Sequence, residues 1–235
     1  MAVEADRDAY CRDVENYLCR KNDGHLIRIV GPAFEQVCGW AARGIPLKVV
    51  YRGIDRYFER YYAKGPRRRP VRVEFCEADV LDVFDEWRRA VGVGAVGAAG
   101  DPAPEAPARG SLPAHLERVV ARLTTLRAGD ARGSLDRTLD AIVRELDAAR
   151  AGSTTLRGER REAFVERLRA LDRELVDAAR DASDQPLLER LTAEADEQLA
   201  PFRARMAAEV YSRSREACID RLLRDHFTLP TICFD

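Results

Sequence analysis

Lys48, Arg52, Arg56, Arg60 and Lys64 recur at a constant spacing of four, and the run Arg67-Arg68-Arg69 and then Arg72 follow them. Cationic side chains repeated at that interval are chemistry for a polyanion, because a column of positive charge along one helix face attracts a phosphate backbone. From Arg43 to Arg72 the chain sets ten basic residues against two acids, Asp55 and Glu59, so this segment carries about +8 within a chain of net charge -1. Arg outnumbers Lys 36 to 3 over the whole chain, a bias that a GC-rich genome produces and that discounts any single Arg. The clustering survives that discount.

No second constellation competes with it. His25, His115 and His226 are scattered, with no neighbouring Ser, Cys or carboxylate in a nucleophile pattern. No P-loop is present, and the glycine-rich stretch GVGAVGAAG lies in a linker without the strand-helix context of a dinucleotide fold. Cys11, Cys19, Cys38, Cys76, Cys218 and Cys233 form no C-x-x-C pair and no Cys/His grouping at zinc-ligand spacing. Convergence of Cys11, Cys19, His25, Cys38 and Cys76 on a metal is the alternative to buried thiols, and the unpatterned spacing favours buried thiols. Without a secretory context no disulfide is expected either. The acids Glu77, Asp79, Asp82, Asp85 and Glu86 lie opposite Val80, Leu81, Val83, Phe84 and Trp87 on a short predicted helix, as a solvated face does. Their other use is to meet the basic helix of a neighbouring copy. The expectation is a non-enzymatic protein with no metal and no cofactor.

The basic residues need a helix to align them, and the pattern predicts one over about 46–64. On a wheel centred on Val50, the residues Leu47, Val50, Ile54, Tyr57, Phe58 and Tyr61 fall on one face. Arg52, Arg56 and Arg60 fall at about 200°, 240° and 280°, on the opposite side, spaced ~6 Å along the axis. Lys48 and Lys64 drift to the flanks, and Arg67–Arg69 extend the charge beyond the helix end. A plain solvated face would carry the same charges, with Asp55 and Glu59 pairing to Arg52 and Arg56 three residues earlier. Basic residues at a helix C-terminus also suit its dipole, and an acidic protein or a membrane surface would meet the same charge. Tyr51 and Tyr62 flank the basic face, where a core role is favoured over stacking on bases.

Around this helix the pattern predicts an all-α chain in two parts. Helices are expected at about 4–21, 31–43, 46–64 and 77–90, with Gly44 closing the second and Pro46 opening the third in a helix-turn-helix-like pair. Val71, Val73 and Phe75 alternate with charged residues, which predicts a short strand or extended wing over Pro70–Cys76. Residues 91–111, rich in Gly, Ala and Pro, read as a flexible linker between a module over 1–90 and a second unit over 112–235. In that second unit Leu135, Leu139, Ile142 and Leu146, and then Phe164, Leu168, Leu171 and Leu175, keep alternating spacings of four and three. Breaks at Gly129–Gly133, Gly152–Gly158 and Ser183–Pro186 give helices at about 112–127, 131–151, 158–182 and 185–226, an antiparallel bundle, with Pro201 kinking the last. The apolar tail His226–Asp235 is expected to pack on the chain's own core. No apolar run approaches the ~18–20 residues that cross a bilayer, and the first twenty residues read as a folded helix instead of a signal peptide, so no membrane association and a cytoplasmic location are expected.

Phe34 to Trp87 also resembles the helical DNA-binding domain of the DnaD-like replication and primosome proteins. The likeness lies in the helix ending Trp40-Ala41-Ala42-Arg43-Gly44, in the following LKVVYRGID helix, and in a basic loop leading to an aromatic-led helix that ends in Trp87. Phe75 stands where that family has an aromatic residue, Val80 and Leu81 where it has an apolar pair, and Trp87 where it has a tryptophan. The resemblance implies DNA as partner. Together these readings predict a DNA-binding protein whose Lys48, Arg52, Arg56, Arg60, Lys64, Arg67, Arg68, Arg69 and Arg72 contact phosphates. The C-terminal helices would serve self-association or a protein partner, and the competing expectation is a protein-binding adaptor or structural subunit without nucleic acid.

Overall fold

A computed structural model of the chain describes residues 2–63, 65, 70–93, 111–127, 134–150 and 156–234. Among these the protein is all-α, with no strand. The chain divides into two compact units, Met1–Ala98 with Gln198–Ser214, and Ala99–Glu197 with Arg215–Asp235. The linker expected over 91–111 lies largely outside the described residues. The first unit also takes in residues 198–214, which the sequence division at residue 112 did not foresee.

In the first unit, α1 (Ala2–Lys21), α2 (Pro32–Ala42), α3 (Leu47–Tyr62) and α4 (Glu77–Val91) follow the apolar spacing of the sequence. Cys11, Val14 and Leu18 of α1, Val37, Cys38 and Trp40 of α2, and Val50, Ile54 and Phe58 of α3 are buried, each set a one-sided stripe at helical spacing. The joint between α2 and α3 is closed by backbone bonds from Gly44 N–H to the Ala41 carbonyl (2.9 Å) and from Ile45 N–H to the Trp40 carbonyl (3.1 Å). That pairing needs a left-handed residue, and Gly44 supplies it with φ of 72°.

The backbones of α3 and α4 approach each other closely. A Cβ on Gly53 would stand 2.5 Å from Val80 Cα and 2.8 Å from Val80 N. Gly53 sits inside a helix, where glycine costs about 1 kcal/mol relative to alanine. It is there because the two backbones touch. Two residues of the 198–214 segment complete the unit's core: Gln198 accepts from Trp87 Nε1 (3.3 Å), and the Phe202 ring lies 5.8 Å from that of Trp87.

The segment predicted as a strand over 70–76 is a 3₁₀ turn, Val73–Cys76, entered through an extended Arg72. Buried Asn22 accepts from Val71 N–H (2.6 Å) and donates to the Val71 carbonyl (3.1 Å), so a side-chain amide stands where a neighbouring strand would. In a 3₁₀ turn residues i and i+3 share a side. Cys76 therefore falls in with Val73 as a buried residue, and Phe75 is left 58% exposed.

In the second unit, α5 (Leu112–Arg127), α6 (Ser134–Arg150) and α7 (Gly158–Asp181) surround one apolar core. Leu116, Leu123, Leu139, Leu146, Leu168 and Leu175 form its centre. The tail joins this core through Leu229 and Ile232. Asp172 accepts from Arg224 Nη2 (2.6 Å) and from the Ile232 N–H (2.7 Å), while the Ile232 carbonyl meets His115 Nε2 (3.0 Å). Both backbone groups of a buried residue are thereby paired, as burial requires.

The long helix predicted over 185–226 is two helices, α8 (Gln185–Arg203) and α9 (Ala208–Phe227). Asp184 caps α8 by accepting from the Leu187 N–H (2.9 Å). Pro201 removes one amide donor and crowds the preceding turn, and the helix ends at Arg203, where Arg205 and Met206 N–H close turn bonds to Phe202 and Arg203. The spacing of four from Phe202 to Met206 continues across a turn. It is not a helical repeat.

Gly53→Ala should destabilise the protein by about 1–3 kcal/mol through overpacking against Val80, whereas Gly39→Ala, with open space at its Cβ, should be neutral or stabilising by up to ~1 kcal/mol. Urea unfolding of the two variants checks the opposite signs.

Candidate nucleic-acid interface

The basic residues of α3 are aligned by the helix, and their surroundings are set by α4. Lys48 and Arg52 lie on the exposed side of α3. Arg56 Nη1 contacts Glu86 Oε1 at 2.8 Å, with the two side chains 43% and 49% exposed. Arg60 Nη2 contacts Asp79 Oδ2 at 2.7 Å, and Asp79 is 2% exposed. Arg56 and Arg60 lie on the exposed side, 43% and 61% exposed, and each is also paired with an acid of α4, at positions 86 and 79, that reaches the flank of α3. Arg72 is 70% exposed and only 3.8 Å from Glu74 at nearest. Lys64, Arg67, Arg68 and Arg69 lie outside the described residues.

Asp55 also reaches α1. It accepts from the Tyr17 hydroxyl (2.8 Å) and pairs with Lys21 Nζ (2.7 Å). Tyr51 stacks on Tyr17 with ring centroids 4.1 Å apart, so its ring is engaged within the unit. A different aromatic group emerges at the other end of the helix. Tyr57 stacks on Tyr61 (5.7 Å) and on Phe75 (6.5 Å), and Tyr61 meets Tyr62 edge-on (5.4 Å). Tyr62 is 40% and Phe75 58% exposed, and Arg60 Cζ lies 5.6 Å from the Tyr57 ring centre. Sequence reasoning placed Tyr57 and Tyr61 in the core and Phe75 on a strand face. The signal that was available is the aromatic density of Tyr57–Tyr62 beside a basic run.

The electrostatics follow the contacts. The hydrogen bond to Glu86 raises Arg56 further above its ordinary range, with Asp82 and Asp79 adding to the negative field. Burial pushes the Cys76 thiol up to about 12, helped by Asp79, and burial beside Cys38 takes Cys11 to about 12. These thiols are held protonated, which suits packing and not nucleophilic or metal chemistry. Among the described residues no group of three or more His, Cys, Asp or Glu is placed to hold a metal ion. No described helix is long and apolar enough to cross a membrane. Comparison with protein-family models, with curated proteins and with solved structures gives no match.

Two outcomes follow. Arg60→Ala should cost about 1–3 kcal/mol by stranding a buried carboxylate, and Arg60→Ala with Asp79→Asn should cost less than Arg60→Ala alone; urea unfolding of both measures the difference. Burial holds the phenols of Tyr10, Tyr17, Tyr51 and Tyr57 protonated above their ordinary range. The unfolded chain therefore ionises first, and stability present below about pH 10 is lost as pH rises past it. Urea midpoints between pH 8 and 12 should begin to fall above about 9, where the unfolded thiols ionise before the phenols, and the fall above about 10 should be smaller in Tyr17→Phe.

Proposed function

We propose that the first unit is a non-enzymatic DNA-binding module whose contact surface is the C-terminal end of α3, not the helix face. One observation carries this reading: Tyr57, Tyr61, Tyr62 and Phe75 stack into a partly exposed cluster, directly joined in sequence to the basic run Lys64 to Arg72. Aromatic planes receive bases, and neighbouring guanidinium groups track the phosphates between them. In this arrangement Arg67, Arg68, Arg69 and Arg72 bind phosphate, Lys64, Lys48 and Arg52 widen the positive field, and Arg56 and Arg60 are held by α4. Phosphate contacts of this kind supply affinity without sequence choice. The resemblance of Phe34 to Trp87 to the DnaD-like DNA-binding domain points the same way. The second unit serves assembly, with its tail folded onto its own core.

A second reading has its own support. Leu26 is 81% and Val30 67% exposed in the connection between α1 and α2, and exposed aliphatic side chains of this kind favour a protein-binding adaptor.

The first reading is tested by fluorescence anisotropy of the full chain with a labelled oligonucleotide from 50 to 200 mM salt. Replacing Arg67–Arg69 by Ala should flatten the slope of log affinity against log salt by about two to three. Phe75→Ala should weaken binding by about tenfold with the slope unchanged. Absence of binding at 50 mM salt would leave the adaptor reading.

A further inference from the structure

The two arginine–carboxylate contacts between α3 and α4 are built differently. Arg60 rests on a carboxylate that is 2% exposed. Removing Arg60 from it would leave a buried charge without solvent or another partner among the described residues, so that contact stays closed. Arg56 and Glu86 are 43% and 49% exposed. Water and salt screen such a pair, and opening it changes an equilibrium by about fivefold at most. The Glu86 carboxylate also makes the kind of contact with Arg56 that a phosphate oxygen would make: a charge-assisted hydrogen bond, here 2.8 Å long. Position 86 lies on the acidic side of α4, and Asp82 and Asp79 extend its field at Arg56.

We propose that Glu86 is a built-in competitor for nucleic acid, withholding Arg56 from the phosphate backbone and thereby setting the affinity of the module. This rests on the DNA-binding reading above and concerns the regulation of that same module, through the helix face beside its contact surface. The contact is intramolecular, so the module binds more weakly, and with less dependence on salt, than its count of exposed-side arginines implies. Arg56 is the reserve contact, since its carboxylate partner can return to water when the guanidinium leaves. Arg60 is not, because Asp79 has no water to return to.

The test is a double-mutant cycle on the full chain, with a single-stranded and a duplex oligonucleotide as probes and salt varied from 50 to 200 mM. Glu86→Gln keeps the shape of the side chain and removes its charge. It should tighten binding about two- to fivefold at 100 mM salt and steepen the salt slope by about 0.9, the contribution of one added phosphate contact. Glu77→Gln, on the exposed side of the first turn of the same helix, makes the same change in net charge and should do neither. In an Arg56→Gln background the gain from Glu86→Gln should vanish, and far-ultraviolet circular dichroism of each variant reports that the helices are intact. Equal behaviour of Glu86→Gln and Glu77→Gln, or a gain that survives Arg56→Gln, would overturn the competitor while leaving DNA binding in place. If neither probe is bound at 50 mM salt by the unsubstituted chain or any variant, the DNA-binding reading fails and the competitor fails with it.

Discussion

The backbone contact between α3 and α4 at Gly53 and Val80 governs the first unit. Only a residue without a side chain lets the helices approach so closely, and the approach costs helix propensity at position 53. What it gains is a surface on which Ile54, Phe58, Val80, Val83, Phe84 and Trp87 are all buried. The same approach carries the acids of α4 to the flank of α3. The pairing of Arg56 with Glu86 and of Arg60 with Asp79 is thus a consequence of packing, present because two helices that touch must also bring their flanks together.

That geometry changes what a cluster of positive charge means. Ten basic residues against two acids is a statement about one stretch of chain, while the field outside the protein depends on every charge within a Debye length. Once α4 is folded against α3, part of the basic stripe is answered from the side. Exposed aromatic rings gather at the end of the helix, where the sequence runs on into its basic stretch. Phe75 is exposed there by a 3₁₀ turn, just after the Val71 backbone is paired with the side-chain amide of buried Asn22.

The second unit uses buried charge in a more closed way. Asp172 and Arg224 are 13% and 19% exposed, and the same carboxylate takes the Ile232 amide. A pair so enclosed costs desolvation and contributes specificity of arrangement. It locks the tail onto the Leu-rich core, where the apolar character of the last ten residues is satisfied internally.

Much of this was legible in the chain itself. The alternating three and four spacings of Leu135–Leu146 and Leu168–Leu175 dictate helices, since no other regular structure places those side chains on one side. Gly44 and Pro46 mark the joint between α2 and α3 because one tolerates positive φ and the other opens a helix. Spacing failed where its periods are ambiguous. Val71, Val73 and Phe75 satisfy a period of two, yet Asn22 takes the backbone groups of Val71 and the chain then enters a 3₁₀ turn. Phe202 and Met206 satisfy a period of four, yet Pro201 is followed by a turn. The partners of Arg56, Arg60 and Asp55 were beyond reach for a different reason. A helical wheel shows which side of one helix is apolar, whereas the approach of a second helix depends on side-chain volumes summed over both. The amino-acid sequence by itself determined the helices, their one-sided stripes and the excess of basic residues. Only the tertiary structure decided which of those residues meet carboxylates, because an ion pair between elements exists only after burial has set their distance.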